Sequence, residues 1–477
     1  MSTPTAASQP RRSKRRSRKL WPVGLVLALV FVASVTVAGG VFTALVDVLD
    51  VRHLKTETRL TSKTLFDMVK LSFGVVAGAG ALVALVVAYR KQRVDEESAL
   101  RDATRLHTER FTSAFTHLGD PSPAVRLGAV HALAGLADDA PTDELRQTCI
   151  DVLCAYLRMP YIPDPGLSDP EGHQDFVAHR EVRNTIIRLI RDHLQLDLRQ
   201  TRSWRGHDFD FTGAVLDAAD FTGAQFTGGT VSFTAVIFAG ATSFRNAIFD
   251  GSSVVFYGAQ FEGDNTFFSY SKFLSGTVSF EQAVFEGEHT FFTGVRFSGT
   301  QVTFFAATFK SSNVFTETHF ATSRVDFRRA TFSGHSTFQR TEFLGGSVLF
   351  GECGFLGHTS FPGGKFVGSF VTFDDSNFAG HIDFPEAQFD GSVVSFDGAR
   401  FSGNISFANA KFTNGTTSFR ESQFQGEISF SQAEFIGGQV DFSTVRGDRP
   451  RDLLNDHRGP YPPGVVLPQD WQPTDRP

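Results

Sequence analysis

The sequence predicts a membrane-anchored protein of mixed class: two transmembrane helices, a small α-helical module and a long four-sided β-solenoid. Three observations carry this. Phenylalanine recurs in steps of five then six or seven residues across the second half of the chain. Two long uncharged apolar runs lie near the N-terminus. Between these regions sits a charged stretch whose apolar residues keep helical spacing.

The phenylalanine beat is the strongest signal. Phe226, Phe233, Phe238, Phe244, Phe249, Phe256 and Phe261 open it, and Phe384, Phe389, Phe396, Phe401, Phe407 and Phe412 continue it. Four steps make a unit of about 23 residues, seen at Phe315, Phe338, Phe361, Phe384, Phe407 and Phe430. No helix or plain strand has that period. A coil with four sides, each turning one Phe inward, does.

The short step has the form Phe-x-x-small-x-Phe, as in Phe244-Arg-Asn-Ala-Ile-Phe249 and Phe407-Ala-Asn-Ala-Lys-Phe412. Period-two spacing places the residue two before each Phe on the same face as that Phe. On one side it is Ala247, Ala259, Ala283, Ala330, Ala399 or Ala433. On the other it is Val254, Val278, Val302, Val325, Ile382, Ile405 or Ile428. Alternating large and small inward residues fill a narrow core to interior density. Gly recurs two residues after the second Phe of a pair, at Gly228, Gly240, Gly251, Gly263, Gly287, Gly334, Gly357, Gly380, Gly403 and Gly426. Such corners require positive φ or close backbone approach. The intervening polar residues face water, and neighbouring coils must complete one another's cores.

This small-x-Phe core resembles the pentapeptide-repeat family in a Phe-rich variant. Ala218-Ala-Asp-Phe221-Thr and Gly223-Ala-Gln-Phe226-Thr lie close to the family consensus. The resemblance implies a right-handed quadrilateral β-helix of nearly ten coils, a rod of roughly 45 Å at the inter-strand spacing of ~4.8 Å. The whole arrangement, including Leu153-Cys-Ala-Tyr-Leu-Arg-Met-Pro160, resembles actinobacterial membrane pentapeptide-repeat proteins, which sharpens architecture more than function.

The expected order is a basic cytosolic tail (1–20), transmembrane helix 1 (21–46), an external loop (47–70), transmembrane helix 2 (71–89), a helical linker and module (90–200), the β-helix (201–445) and a Pro-rich tail (446–477) that is disordered or extended. Both apolar runs are long enough to span. The first is too long for the hydrophobic core of a cleaved signal peptide. Arg11, Arg12, Lys14, Arg15, Arg16, Arg18 and Lys19 precede the first run, and Arg90, Lys91 and Arg93 follow the second. The positive-inside tendency places both termini and the repeat domain in the cytoplasm. Arg52, Lys55, Arg59, Lys63 and Lys70 oppose this assignment, accompanied by Asp47, Asp50, Glu57 and Asp67. Neither run carries an ionisable residue, so the hairpin is an anchor rather than a transport path. Gly74–Gly78 and Gly40–Ala44 have the small-xxx-small spacing of close helix approach.

In the middle segment Asp120, Pro121 and Ser122 start a helix whose apolar residues are Val125, Ala129, Leu133 and Leu136. The stretch resembles a single HEAT-type repeat. Arg146 to Leu157 and Val182 to Leu194 read as further helices. One such repeat cannot stand alone, so the module is expected to cap the end of the β-helix or to bind a partner.

Catalytic motifs are lacking. No Walker loop, nucleophile elbow, HExxH or Rossmann glycine pattern occurs, and no catalytic, cofactor-binding or metal-binding residue is assigned. Cys149, Cys154 and Cys353 have no ligand spacing, and Cys353 stands at a small inward position as a buried thiol. His289, His335, His358 and His381 share one outward column with Asn265, Ser312, Asn404 and Glu427. A straight ladder offers two imidazoles side by side, short of a tetrahedral zinc set. From Phe209 to Val445 there are 23 acidic and 12 basic residues. The sequence therefore points to a non-enzymatic scaffold, with the bilayer and an unidentified protein as partners, and with no nucleic acid and no small-molecule substrate. The alternative is an acidic DNA-mimic rod directed at gyrase or another DNA-binding protein, as some soluble members of the resembled family are.

Overall fold

The computed structural model describes residues 61–161, 163–166, 168–321, 324–450, 452–453 and 464–472, with scattered residues between Leu29 and Asp47. The basic tail, most of the segment expected as transmembrane helix 1 and residues 48–60 of the expected external loop lie outside the described residues. Two compact units divide the chain at Arg105 and Leu106.

Helix α1 runs over Ser62–Leu118 and crosses that division. It includes a window of mean hydropathy 2.3, long and apolar enough to cross a membrane by length and composition. Leu71, Phe73, Val76 and Leu85 stand exposed along it. Two boundaries differ from expectation. The helix begins at Ser62, within the stretch expected to be external loop, because Thr61 supplies the start: its hydroxyl accepts from the Thr64 amide at 3.4 Å. The charged 90–115 segment then continues the same helix, since nothing between Arg90 and Phe115 breaks it.

The second unit contains the end of α1, three further helices and the solenoid. Helix α2 covers Pro123–Asp138, α3 Asp143–Leu157 and α4 Pro170–Gln195. Ala129, Leu133 and Leu136 are buried as expected, whereas Val125 is 38 % exposed. Helices α3 and α4 start earlier than the apolar pattern suggested, because polar caps set their ends. Thr142 accepts from the Leu145 amide at 3.3 Å, and Asp169 accepts from Gly172 at 3.1 Å ahead of Pro170.

The solenoid has four faces of parallel strands. The first face holds 12 strands from Phe209–Asp210 to Val465–Val466, and the other three hold 10 each among the described residues. Cross-coil partners lie 23 or 24 residues apart through the body of the rod, as in Thr277↔Gln301 and Thr331↔Gly354. Phe rings stack in register: Phe338 lies 4.5 Å from Phe361 and Phe361 4.7 Å from Phe384. Columns meet edge to face, as where Phe338 and Phe350 stand 6.0 Å apart at 88°. The small inward residues follow a finer rule than the two-sided alternation. Val lines the first face, and Ala dominates the second and fourth. The third carries Thr242, Thr266, Thr290, Asn313, Ser336 and Thr359 before Ile382 takes over. Asn313 is fully buried, and its amide nitrogen donates to the Ser311 carbonyl at 2.7 Å and to the Ser336 hydroxyl at 3.3 Å.

The corner glycines divide into two kinds. Gly228 and Gly251 have positive φ. Gly380, Gly403 and Gly426 do not; a β-carbon there would stand 2.1–2.2 Å from the carbonyl oxygen of the glycine one coil earlier. Phe-x-x-small turns are closed by the small residue's amide on the Phe carbonyl, as from Ala283 to Phe280 at 3.0 Å, whereas the Cys353 amide donates to the Ser376 hydroxyl at 3.0 Å. The third turn residue is left-handed even when it is not glycine, as at Gln282, Arg329 and Glu386.

Both ends are covered. Helices α3 and α4 pack on the first coil. Gln147 donates to the Asp208 carbonyl at 2.7 Å and accepts from the Asp208 amide at 3.0 Å. Arg183 donates to the carbonyls of Leu157 and Val215, each at 2.7 Å. Arg158–Asp210 and Arg191–Asp220 ion pairs flank them. At the other end the 446–477 segment differs from the tail expected. Val465–Val466 adds a parallel strand beside Gln439–Asp441. Trp471 is buried 5.9 Å from Phe442. The exposed last coil would otherwise leave Phe424, Phe430 and Phe442 open to water, and this apolar cost drives the fold-back.

Candidate interaction surface

With its core filled, the rod exposes its chemistry on outward columns. Strand register places Asn265, His289 and Ser312 in one column, and the 23-residue period continues it through His335, His358 and His381. The rings of His335 and His358 stack at 4.8 Å, with their Nδ1 atoms 3.1 Å apart. His381 turns away from His358, edge-on at 6.4 Å. His358 Nε2 instead meets the Asp383 carboxylate at 2.7 Å. Burial, then the neighbouring His358, holds His335 below the usual histidine pKa. Among the described residues no cluster of three or more His, Cys, Asp or Glu is arranged to hold a metal ion.

All three cysteines are free and buried. Burial pushes the thiols of Cys149 and Cys154 up to about 12 and that of Cys353 up as well. Cys353 Sγ donates to the Phe327 carbonyl at 2.9 Å. None of the three is poised as a nucleophile.

The rod's acidic residues are interleaved with bases on adjacent coils. Arg329 pairs with Glu352 at 2.8 Å, Arg340 with Glu317 at 3.3 Å and Lys411 with Glu434 at 3.2 Å. Glu342 receives both Lys365 at 3.1 Å and His319 at 2.9 Å. Burial raises its carboxyl pKa, and the contacts with Lys365 and His319 more than offset that, leaving it below the usual carboxylate range.

Several outward positions are apolar, Leu274, Leu356 and Ile436 among them, and at one step two such residues are neighbours. Phe370 and Val393 are register partners on the first face, 44 % and 46 % exposed. Val367, at the preceding corner, is also exposed. Phe370 and Val393 stand at positions that are polar in neighbouring coils, Ser347 and Thr416, so the repeat pattern of the sequence does not mark them.

Two family models, each described as pentapeptide repeats, match the chain: a nine-copy model over residues 396–446 and an eight-copy model over residues 208–232. The solenoid is built of pentapeptide repeats. The matched segments lie at its two ends, and the same register and ring stacking run unbroken through the coils between them. No curated protein and no solved structure matches the chain. The pentapeptide-repeat rod thus presents a regular, solvent-facing lattice of side chains.

Proposed function

We propose that the chain is a non-enzymatic membrane-anchored scaffold whose pentapeptide-repeat rod lies in the cytoplasm and presents a surface to a protein partner. The observation that carries this is the exposed apolar step of Phe370 and Val393, register partners on adjacent coils whose next neighbours in the column are the polar Ser347 and Thr416. An apolar patch rimmed by polar residues favours association. The apolar window of α1 supports anchoring, and the basic flanks support a cytoplasmic rod. The gyrase-directed alternative needs a continuous acidic face, and the cross-coil ion pairs place cations among the acids of the rod.

The test joins topology to surface. In intact cells a membrane-impermeant thiol reagent should label a cysteine placed at Ser62 and spare one placed at Ser431. Proximity labelling from the C-terminus should enrich a set of proteins that a Phe370→Ser, Val393→Ser variant loses. Labelling at Ser431 would overturn the cytoplasmic rod, and an unchanged set would overturn the surface. A supercoiling assay in which residues 100–477 inhibit gyrase would favour the DNA mimic.

A further inference from the structure

A cavity of about 850 Å³ lies in the helical module, between the end of α1, the segment following α3, and α4. Its walls are mainly apolar and aromatic, with Phe115, Met159, Tyr161 and Phe176 among them. Tyr161 and Phe176 meet edge to face at 6.1 Å. Phe115 and Met159 are each 55 % exposed although they belong to a folded helical unit. The size suits a small organic ligand rather than a single water or ion.

The wall also carries Asp169, Asp175, His179, Arg180 and Arg183, and Arg126 is the lining residue with a buried, unpartnered nitrogen. Its side chain lines the cavity and the residue is only 9 % exposed. One guanidinium nitrogen, Nη2, bonds His179 Nε2 at 2.9 Å. The Nε–H has no hydrogen-bond partner. Among the described residues no carboxylate pairs with Arg126. His179 does not supply the missing charge. Burial, then Arg126, lowers its pKa, so the ring accepts a hydrogen bond as the neutral imidazole. The nearby groups are engaged elsewhere. Arg183 holds the Leu157 and Val215 carbonyls. Arg180 lies 5.7 Å over the Phe176 ring. Asp169 caps α4 through the Gly172 amide at 3.1 Å. A buried cation with an open donor and no counter-charge is costly unless something completes it.

We propose that this cavity binds a small organic carboxylate with an apolar aromatic body, its carboxylate on the open donors of Arg126 and its ring system among Phe115, Tyr161 and Phe176. A planar guanidinium fork matches a carboxylate in shape and charge. The lining holds three arginines, Arg126, Arg180 and Arg183, against two aspartates, Asp169 and Asp175, and this balance of one positive charge favours a monocarboxylate over a dianionic phosphate. Aromatic walls supply the rest of the recognition through ring packing. The site goes beyond the scaffold function and stands or falls separately from it. It lies on the helical module, away from Phe370 and Val393.

The test uses the full chain in lipid nanodiscs with 1-naphthaleneacetate as probe, followed by titration calorimetry. The acid should bind one site per chain, and 2-(1-naphthyl)ethanol, with the same body and no carboxylate, about tenfold or more weaker. Arg126→Met should weaken the acid by about tenfold and leave the alcohol unchanged. His179→Ala, at an exposed ring whose loss frees the guanidinium, should retain or strengthen acid binding. If Arg126→Met fails to fold, the acid–alcohol contrast and His179→Ala still decide. No heat with the acid up to about 1 mM, equal binding of acid and alcohol, loss of acid binding in His179→Ala, or tighter binding of 1-naphthyl phosphate than of the acid would each overturn the proposal.

Discussion

A β-carbon on Gly403 would stand 2.1 Å from the carbonyl oxygen of Gly380, one coil earlier. At this step of the second-face corner backbone therefore stacks on backbone, whereas an earlier coil carries Ser311 at the equivalent place. Gly403→Ala should cost ~1–3 kcal/mol through overpacking. Gly351 is a contrasting position: its nearest neighbour would be 3.5 Å away, and adjacent coils carry Arg328 and Asp374 there. Gly351→Ala should stay within ~1 kcal/mol of the parent protein. Denaturant melts of both variants check the difference, and equal losses would remove the close-approach explanation.

Phe361 is fully buried between Phe338 and Phe384. Truncation leaves a ring-sized void in a column that cannot collapse without shifting its neighbours. Phe361→Ala should cost ~3–5 kcal/mol, and Gln339→Ala on the outer side under ~0.5 kcal/mol. Chemical denaturation of the two single variants reads this directly.

Ser336 pairs with Thr359 across one coil. Deleting residues 336–358 removes one period, joins His335 to Thr359 and keeps every inward residue in register. The shortened rod should fold with the loss of about one coil's share of stability. Deleting residues 336–344 instead turns Phe outward and charge inward along all later coils, as a register slip does. That protein should fail to fold. Circular dichroism and proteolysis separate the two, and a shared outcome contradicts the four-sided coil.

Trp471 donates from Nε1 to the Gly447 carbonyl at 3.1 Å while its ring covers Phe442 and Phe424. Trp471→Ala should cost ~3–5 kcal/mol locally. Hydrogen exchange should quicken first at the amides of Val440 and Phe442, which bond the Gly464 and Val466 carbonyls. Unchanged exchange there would mean the Trp cover is dispensable.

The depressed pKa of His335 has a definite sign in stability. The unfolded chain takes up the proton more readily than the folded one, so protonation penalises the folded state. That penalty is absent above the unfolded pKa near ~6.5 and grows as pH falls from there toward the lower folded value. Thermal stability should decline more steeply on acidification in the parent protein than in His335→Asn, a residue already tolerated in the column at Asn404. At neutral pH, replacing His335, His358 and His381 together with Asn should leave the melting temperature unchanged, with or without zinc. A zinc-dependent rise that disappears in the triple variant would reveal a metal strip.

The rod was legible because each core position is written many times. A single Phe361 says little, but Phe315, Phe338, Phe361 and Phe384 together fix the register. What occurs once was hidden. Val465 and Trp471 cap the end without any period, and proline content around them read as a tail. The third-face column of Thr290, Asn313 and Ser336 was masked by its polarity, since inward hydroxyl and amide groups resemble surface residues until their partners are known. Left-handed Gln282 and Glu386 carry no signature, because position rather than residue type dictates their backbone. Phe370 and Val393 broke a polar pattern by one residue each. The Arg126 cavity unites residues distant in sequence, and its signal is a missing partner, which no motif records.

The two covers also determine how such a rod changes length over evolutionary time. Neither terminal coil is free to accept a new one: α3 and α4 occupy the first, and the Val465–Trp471 segment occupies the last. Insertion at either boundary would strand a cap designed for a particular coil. Between them each coil meets only its neighbours, so duplication or loss of an internal 23-residue unit leaves both closures intact. Reach is therefore inherited as a whole number of coils, and selection can lengthen or shorten the rod without redesigning its ends.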